Sequence, residues 1–145
     1  MSTMTLSAAL ARHNITAADD AWAEIEVPVL TGPQRQGDVG IFPRARLGAA
    51  ERKAMTAVGR AGVAVVRGES GRNTHLLDAV QGTVLWAANP NAGPTDLTLG
   101  VLHVEDGATA HLLHTDEHGC NAIGPGTYRL TGKREMADEI RRVAD

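Results

Sequence analysis

The sequence predicts a small, mainly β (α+β) domain folded as a β-sandwich or barrel, and two observations support this prediction. Short apolar or alternating runs recur along the second half of the chain, and residues 97–104 show the period of two that is typical of a strand. Turns that contain glycine separate these runs, and several short strands at regular spacing favour a sandwich or barrel. A jelly-roll or cupin-like arrangement, with one or two short helices, is one form that this pattern allows.

The length and composition favour one folded domain. The chain has 145 residues, near the commonest size of a single domain, and 43% of them are hydrophobic, which is enough to build one core. We divide it into an N-terminal arm, residues 1–33, and a single β-rich domain, residues 34–145.

The arm combines a short helix with an extended segment. The residues at helical spacing, with two candidate N-caps, are Leu6, Ala9, Leu10 and His13 with Thr5 or Ser7. An extended segment follows over residues 22–29, and Gly32-Pro33 would end it. We expect this arm to lean on the main domain or on a neighbouring molecule.

The main domain alternates strands and turns. The predicted elements are a strand at 41–42, a helix at 47–58, strands at 63–66, 74–79, 83–88, 97–104, 108–115 and 127–131, and a closing helix at 134–143. Gly59 stands where the first helix would end. Asp106-Gly107 is a strong hairpin signal, so we expect the strands on its two sides to pair with each other.

Charge and cysteine content narrow the classes of function. The formal net charge is −3, from 17 acidic and 14 basic residues, whereas a nucleic-acid-binding protein normally has a basic surplus. Nucleic acid is therefore not a favoured partner. Cys120 is the one cysteine, which excludes an internal disulfide. Because the N-terminus lacks a signal peptide pattern and no apolar run reaches about 20 residues, we expect a soluble protein with no membrane partner.

Four of the six histidines fall between positions 103 and 118, and they suggest a metal site. If the segment 111–118 is extended, one of its faces carries two imidazoles and a carboxylate, and a further histidine can come from an adjacent strand. Such groups are usual ligands of Zn, Fe or Mn. The candidate metal ligands are His75, His114, Asp116 and His118.

A polar hairpin that faces water is the alternative interpretation of the same segment. His103 shares the predicted apolar face of its strand with Leu99 and Val101, which favours a satisfied core or interface histidine. Cys120 has no base and orienting acid paired beside it in sequence, so a buried inert thiol is favoured over a nucleophile. The sequence assigns no catalytic residue and no cofactor, and it leaves open whether the protein is an enzyme.

Four ordered motifs carry a resemblance to a family. They are QGDV at 36–39, VRGE at 66–69 running on to His75, EHG at 117–119, and PGTYR at 125–129 with KRE at 133–135. The chain resembles short uncharacterised proteins of bacteria and phages that carry the motifs QGDV, GExxGHxH, HEEH and PPGxYRVxxQRE. The resemblance covers about residues 34–145 and leaves the arm outside.

The chain departs from this motif pattern at two histidine positions. Asn73 stands where the second motif has its first histidine, and the third motif reads TDEH at 115–118, with a histidine displaced to His114. If the histidines of the resembled family hold a metal, this chain keeps only part of the set.

Two functions from different classes remain open. The first is a non-catalytic assembly or binding module, such as a capsid-decorating protein of a phage virion, which would form a homo-oligomer or join a larger assembly. The second is a cupin-like metal-binding enzyme or sensor, in which Asp116 or Glu117 would be a further ligand or general base. The expected location is the cytoplasm, or the virion if a phage encodes the protein.

Overall fold

The computed structural model describes residues 3–17, 20–67, 74–93, 95–116 and 119–132. Its helices are α1 (Leu6–Ala11), α2 (Asp20–Ala23) and α3 (Ala49–Lys53). Its strands are β1 (Met4–Thr5), β2 (Glu26–Val27), β3 (Val29–Leu30), β4 (Gln34–Gln36), β5 (Val39–Pro43), β6 (Thr56–Ala57), β7 (Val63–Val66), β8 (His75–Gln81), β9 (Val84–Ala88), β10 (Thr98–Val104), β11 (Thr109–His114), β12 (Gly119–Ile123) and β13 (Gly126–Thr131).

Two sheets pack face to face in a sandwich-like arrangement. One has six strands in the order β4-β5-β13-β10-β9-β6, and the other has five strands in the order β3-β12-β11-β8-β7. Neighbouring strands are antiparallel except β3 and β12, which are parallel. The predicted small, mainly β fold with short helices is confirmed in its sandwich form, because the described strands do not close into a barrel.

The core lies between the inner faces of the two sheets and is mainly aliphatic. The six-stranded sheet contributes residues such as Leu102 and Leu130, and the five-stranded sheet contributes Leu77 and Leu112, all of them fully buried. The buried Tyr128 adds an aromatic ring, and its hydroxyl donates a hydrogen bond to the Gly124 carbonyl at 2.7 Å. One apolar core therefore holds both sheets together.

The predicted hairpin at Asp106-Gly107 is wrong. Gly107 has the positive φ of +78° that the turn requires, but β10 before it belongs to the six-stranded sheet and β11 after it belongs to the five-stranded sheet. The turn is an arch between the sheets. Turn residues determine where the chain reverses, whereas the pairing partner is decided by distant strands, since β11 pairs with β8 and β12.

The predicted apolar face of β10 is also wrong. A bulge interrupts the pairing with β13 between Thr98 and Gly100, so that the inward face continues with Leu102 and Val104. Val101 and His103 are half-buried on the other face of the sheet. An inserted residue reverses the side-chain alternation that follows it, and the sequence pattern does not display the bulge.

The first helix of the main domain is shorter than predicted. It ends at Lys53, and Thr56 and Ala57 instead form β6, which pairs with Trp86 and Leu85 of β9. The sequence 47–58 has good helix formers, but helix propensity is weak compared with tertiary interactions, and here Thr56 and Ala57 pair with the sheet instead. The predicted closing helix at 134–143 lies outside the described residues.

The N-terminal segment packs on the outer face of the five-stranded sheet. The predicted helix is present as α1, and its N-cap is Thr5, whose Oγ1 accepts the Ala8 N–H at 3.2 Å. Ala9 and Leu10 of α1 are fully buried. Farther along the arm, β3 joins the sheet itself beside β12. The described part of the arm thus forms a third layer on its own domain.

Candidate functional site

Strand β11 is buried on both of its faces, and this places two histidines in the interior. All six of its residues are buried. Alternation directs His114 toward the core between the sheets and His111 toward the layer that contains α1. A buried polar group needs hydrogen-bond partners, because leaving water without them costs a few kcal/mol. Polar groups lie near the histidines on both sides of β11, but on the outer side the buried Nδ1 of His111 has no hydrogen-bond partner in the described part of the chain.

On the inner side, His114 lies directly opposite His75 of β8. The two rings are 4.4 Å apart between centroids and meet edge to face at 72°. His75 is 1% exposed, and its Nδ1 lies 2.9 Å from Oε1 of Gln36. We call Gln36, His75, His114 and Asn121 the inner histidine cluster.

The Gln36 amide fixes the hydrogen on His75. Nε2 of Gln36 donates to the Leu112 carbonyl at 2.6 Å and to Oδ1 of Asn121 at 3.1 Å. Since both partners are acceptors, the other end of the amide, Oε1, is left to accept a hydrogen bond from Nδ1–H of His75. This tautomer places the lone pair of the imidazole on Nε2. The QGDV motif thus contacts the second motif through its first residue.

The environment of His75 keeps its ring neutral. Burial and, to a smaller extent, the neighbouring His114 lower the pKa of His75 from its ordinary 6.5 to about 4, while Asp38 opposes the shift. At neutral pH the ring is therefore uncharged, as a metal-binding imidazole must be.

The structure brings together two of the four predicted metal ligands. His75 and His114 adjoin, Asp116 is exposed just beyond the end of β11, and His118 lies outside the described residues. Within the described ranges, no group of three or more histidine, cysteine, aspartate or glutamate side chains is spaced to hold a metal ion. The four-residue metal site stays a prediction.

On the outer side, the Cα partner of His111 in β8 is Asp78, which is fully buried. Asp78 Oδ2 accepts a hydrogen bond from Arg12 Nε at 3.0 Å and lies 2.8 Å from His13 Nε2. Arg12 and His13 follow α1, so they fasten the N-terminal segment to the sheet. We call Arg12, His13, Asp78 and His111 the arm anchor.

Burial also lowers the pKa of His111 to about 4, although the neighbouring Asp78 opposes the shift. Because the folded state holds the rings of His75 and His111 below the ordinary 6.5, the unfolded chain binds more protons between pH 6.5 and 4. The stabilisation from these two neutral rings is thus complete above pH 6.5 and is lost as pH falls toward 4.

Cys120 lies on β12, half-buried. Burial raises the pKa of its thiol to about 12, so the sulfur is protonated and weakly nucleophilic at neutral pH. The sequence predicts a buried inert thiol: the side chain is half-buried, and its raised pKa is the property that favours an inert thiol.

The sequence interpretation missed Asp78, Arg12 and Gln36. The sequence does contain a signal for Asp78, because this carboxylate is the one acidic residue in the strand sequence HLLDAVQ. A carboxylate that is buried in a strand is stable only with a cation beside it, so a partner for Asp78 could have been expected. No comparable signal points to Arg12, which is 66 positions away in sequence. Gln36 belongs to the QGDV motif, whose sequence alone indicates no role for it.

Comparison with known proteins gives a family but no activity. The family model for a domain of unknown function, DUF8820, matches residues 35–133. This range begins next to the predicted start of the main domain at 34 and leaves the anchored N-terminal helix outside. No curated protein and no solved structure matches the chain. Among the described residues, no helix has the length and apolar character needed to cross a membrane.

The arm anchor gives a stability prediction. In Asp78→Asn, the half-buried Arg12 and His13 lose the buried charge that they contact, and we expect the free energy of unfolding to fall by about 3 kcal/mol. Urea denaturation at pH 7 measures this loss, and hydrogen exchange should show earlier exchange of the α1 amides. The control is Glu51→Gln, which removes the exposed ion pair of Glu51 with Arg44 and should shift the midpoint much less. Equal losses of stability in the two variants would contradict the conclusion that Asp78 anchors the N-terminal segment.

Proposed function

The chain belongs to the DUF8820 domain family, and we propose that it acts as a non-catalytic binding or assembly module that docks through its N-terminal arm. The observation that carries this proposal is the position of its exposed apolar side chains. Among the described residues, the large hydrophobic side chains that are exposed are Trp22, Ile25 and Leu30, with exposed fractions of 59%, 47% and 46%. All three lie in the arm, and we call them the arm apolar residues.

A single exposed hydrophobic residue is normal on a protein surface, but three large ones within one short segment favour an interaction site. Tryptophan is enriched in protein interfaces and often contributes much of their binding energy. In the described part of the main domain, in contrast, the large apolar side chains are buried or half-buried. The arm is therefore the part of the described surface best suited to contact another protein.

The arm is held in a defined position, which favours its use as a docking element. The arm anchor fixes the chain after α1, and the Leu6 N–H donates to the Ile25 carbonyl at 2.8 Å, which ties the second half of the arm to the first. Strand β3, which carries Leu30, is the last strand of the five-stranded sheet. An open sheet edge can accept a strand from another chain.

The partner that we propose is a second copy of this chain or a larger protein assembly. The inner histidine cluster supports a non-catalytic role, since Gln36 and His75 form hydrogen bonds in the interior instead of facing an open cleft. The more specific form of the proposal is a capsid-decorating protein of a phage virion. It rests on the motif resemblance to proteins of bacteria and phages, and it implies a location in the virion rather than the cytoplasm.

The assembly proposal predicts a concentration-dependent mass in solution. Sedimentation of the full chain should show oligomers, and Trp22→Ser or Leu30→Ser should shift the distribution to the monomer, because each removes exposed apolar area that the interface would bury. Ala57→Ser, an exposed change on β6 of the opposite sheet, is the control and should leave the distribution unchanged. A monomer at all concentrations for the unmodified chain would contradict assembly through self-association.

Metal binding is the second candidate, and the geometry of His75 favours it. A histidine that binds a metal through one ring nitrogen usually donates the hydrogen on the other to an oxygen, which orients the ring. His75 donates Nδ1–H to Gln36, and its ring adjoins that of His114. His75 and His114 would hold the ion, with Asp116 or His118 as further ligands, and a bound ion would supply Lewis-acid or redox chemistry.

The metal proposal predicts near-stoichiometric Zn, Fe or Mn in the purified, untagged protein. Elemental mass spectrometry measures this content, which His75→Gln should abolish, whereas Gln36→Leu should weaken binding roughly 10- to 100-fold through loss of the orienting hydrogen bond. His103→Gln is the control, because this histidine lies outside the inner histidine cluster. A protein without metal that shows no thermal shift with Zn, Mn or Fe(II) would exclude this candidate.

A further inference from the structure

A cavity of about 440 Å³ lies at one end of the six-stranded sheet, apart from the inner histidine cluster and the arm. It is formed by the segment between β5 and α3, by α3, by the end of β10 and by the start of β13. Three arginines, Arg44, Arg46 and Arg52, line it. We propose that this cavity binds a small molecule through an oxyanion group, either a carboxylate or a phosphate.

Arg44 is held in a fixed orientation within this cavity. Its Nη1 donates to Glu51 Oε2 at 2.8 Å and its Nη2 donates to Glu51 Oε1 at 3.1 Å. The backbone N–H of Arg44 also donates to the Thr127 carbonyl at 2.9 Å, which joins this segment to β13. Glu51 orients the guanidinium group of Arg44 by accepting two of its five N–H donors. The remaining donors are available to a ligand.

A second set of polar contacts forms the opposite wall. Arg52 forms an ion pair with Glu105, and His103 Nε2 lies 3.5 Å from the other oxygen of that carboxylate. On its other side, His103 Nδ1 lies 2.8 Å from Thr127 Oγ1. These contacts hold Arg52 and His103 in place between neighbouring elements. Preorganised donors reduce the entropy that a ligand must overcome on binding.

Arg46 supplies the charge that the protein itself does not pair. It is exposed, and no ion pair or hydrogen bond joins its side chain to another residue in the described ranges. Glu51 and Glu105 balance the other two arginines, and Asp106 also lines the cavity. The cavity is therefore not strongly positive overall. It suits one oxyanion recognised by directed N–H donors, and it does not suit a polyanion such as nucleic acid.

The test is a titration of the full-length, ¹⁵N-labelled protein with inorganic phosphate and, separately, with acetate, at constant ionic strength and pH 7. We expect saturable chemical-shift changes at the amides of Arg46, Gly48 and Thr127 and at the arginine Nε–H signals. Arg46→Gln should weaken binding on the order of tenfold, as loss of a charge-assisted hydrogen bond does. Because Arg46 makes no contact that the fold needs, this variant should remain folded.

The control is Arg35→Gln, which removes an exposed arginine on β4, outside the cavity, and should leave the affinity unchanged. Saturation by phosphate alone would assign a phosphate-bearing ligand, saturation by acetate alone would assign a carboxylate, and saturation by both would assign a general oxyanion site. The proposal is overturned if neither ion gives saturable shifts at the cavity, or if Arg46→Gln binds as the unmodified protein does. It is also overturned if Arg35→Gln weakens binding as much as Arg46→Gln.

Discussion

The burial of β11 on both faces is the constraint on which the rest of the structure depends. This strand carries His111 and His114 on opposite sides, and neither side is open to water. Burial of this kind favours polar groups as well as apolar packing on each side of the strand. Gln36 and His75 line the inner side with His114. On the outer side Asp78 pairs with His111 across the strands and bonds Arg12 and His13, while Nδ1 of His111 itself has no hydrogen-bond partner among the described residues. Both clusters place polar groups beside the buried histidines of β11.

The burial of Asp78 explains why the N-terminal segment is part of the fold even though the family match begins at residue 35. A buried carboxylate at position 78 is stable only with a cation beside it, and Arg12 brings that cation from the arm. The same contact positions the part of the arm that exposes Trp22 and Ile25. The ion pair between Arg12 and Asp78 thus holds the N-terminal arm, which carries the proposed docking residues, against the five-stranded sheet. The arginine-lined cavity lies on the other sheet and is independent of this arrangement.

Much of the fold could be predicted from local sequence, because alternation, glycine turns and an N-cap are local signals. The helix at Leu6–Ala11 with its Thr5 cap and the strand at Val63–Val66 are examples. Pairing could not be predicted at Asp106-Gly107, because the turn chemistry is the same for a hairpin and for an arch between sheets. For the site, the histidine-rich segment 111–118 indicated His114, and His75 was the histidine expected from an adjacent strand. Gln36, the hydrogen-bond partner of His75, is contributed by a strand 39 positions away from it, and single-sequence patterns do not encode such contacts.

The ionisation of His111 tests this account most directly, because its ring is covered only if β11 lies beneath the anchored N-terminal segment. The Cε1–H resonance of His111, assigned through a His111→Gln variant, can be followed by NMR as pH is lowered. The account predicts a midpoint of about 4, well below the ordinary 6.5, together with a loss of stability as pH falls through that interval. A midpoint near 6.5 in the folded protein would place the ring in water and contradict the three-layer arrangement.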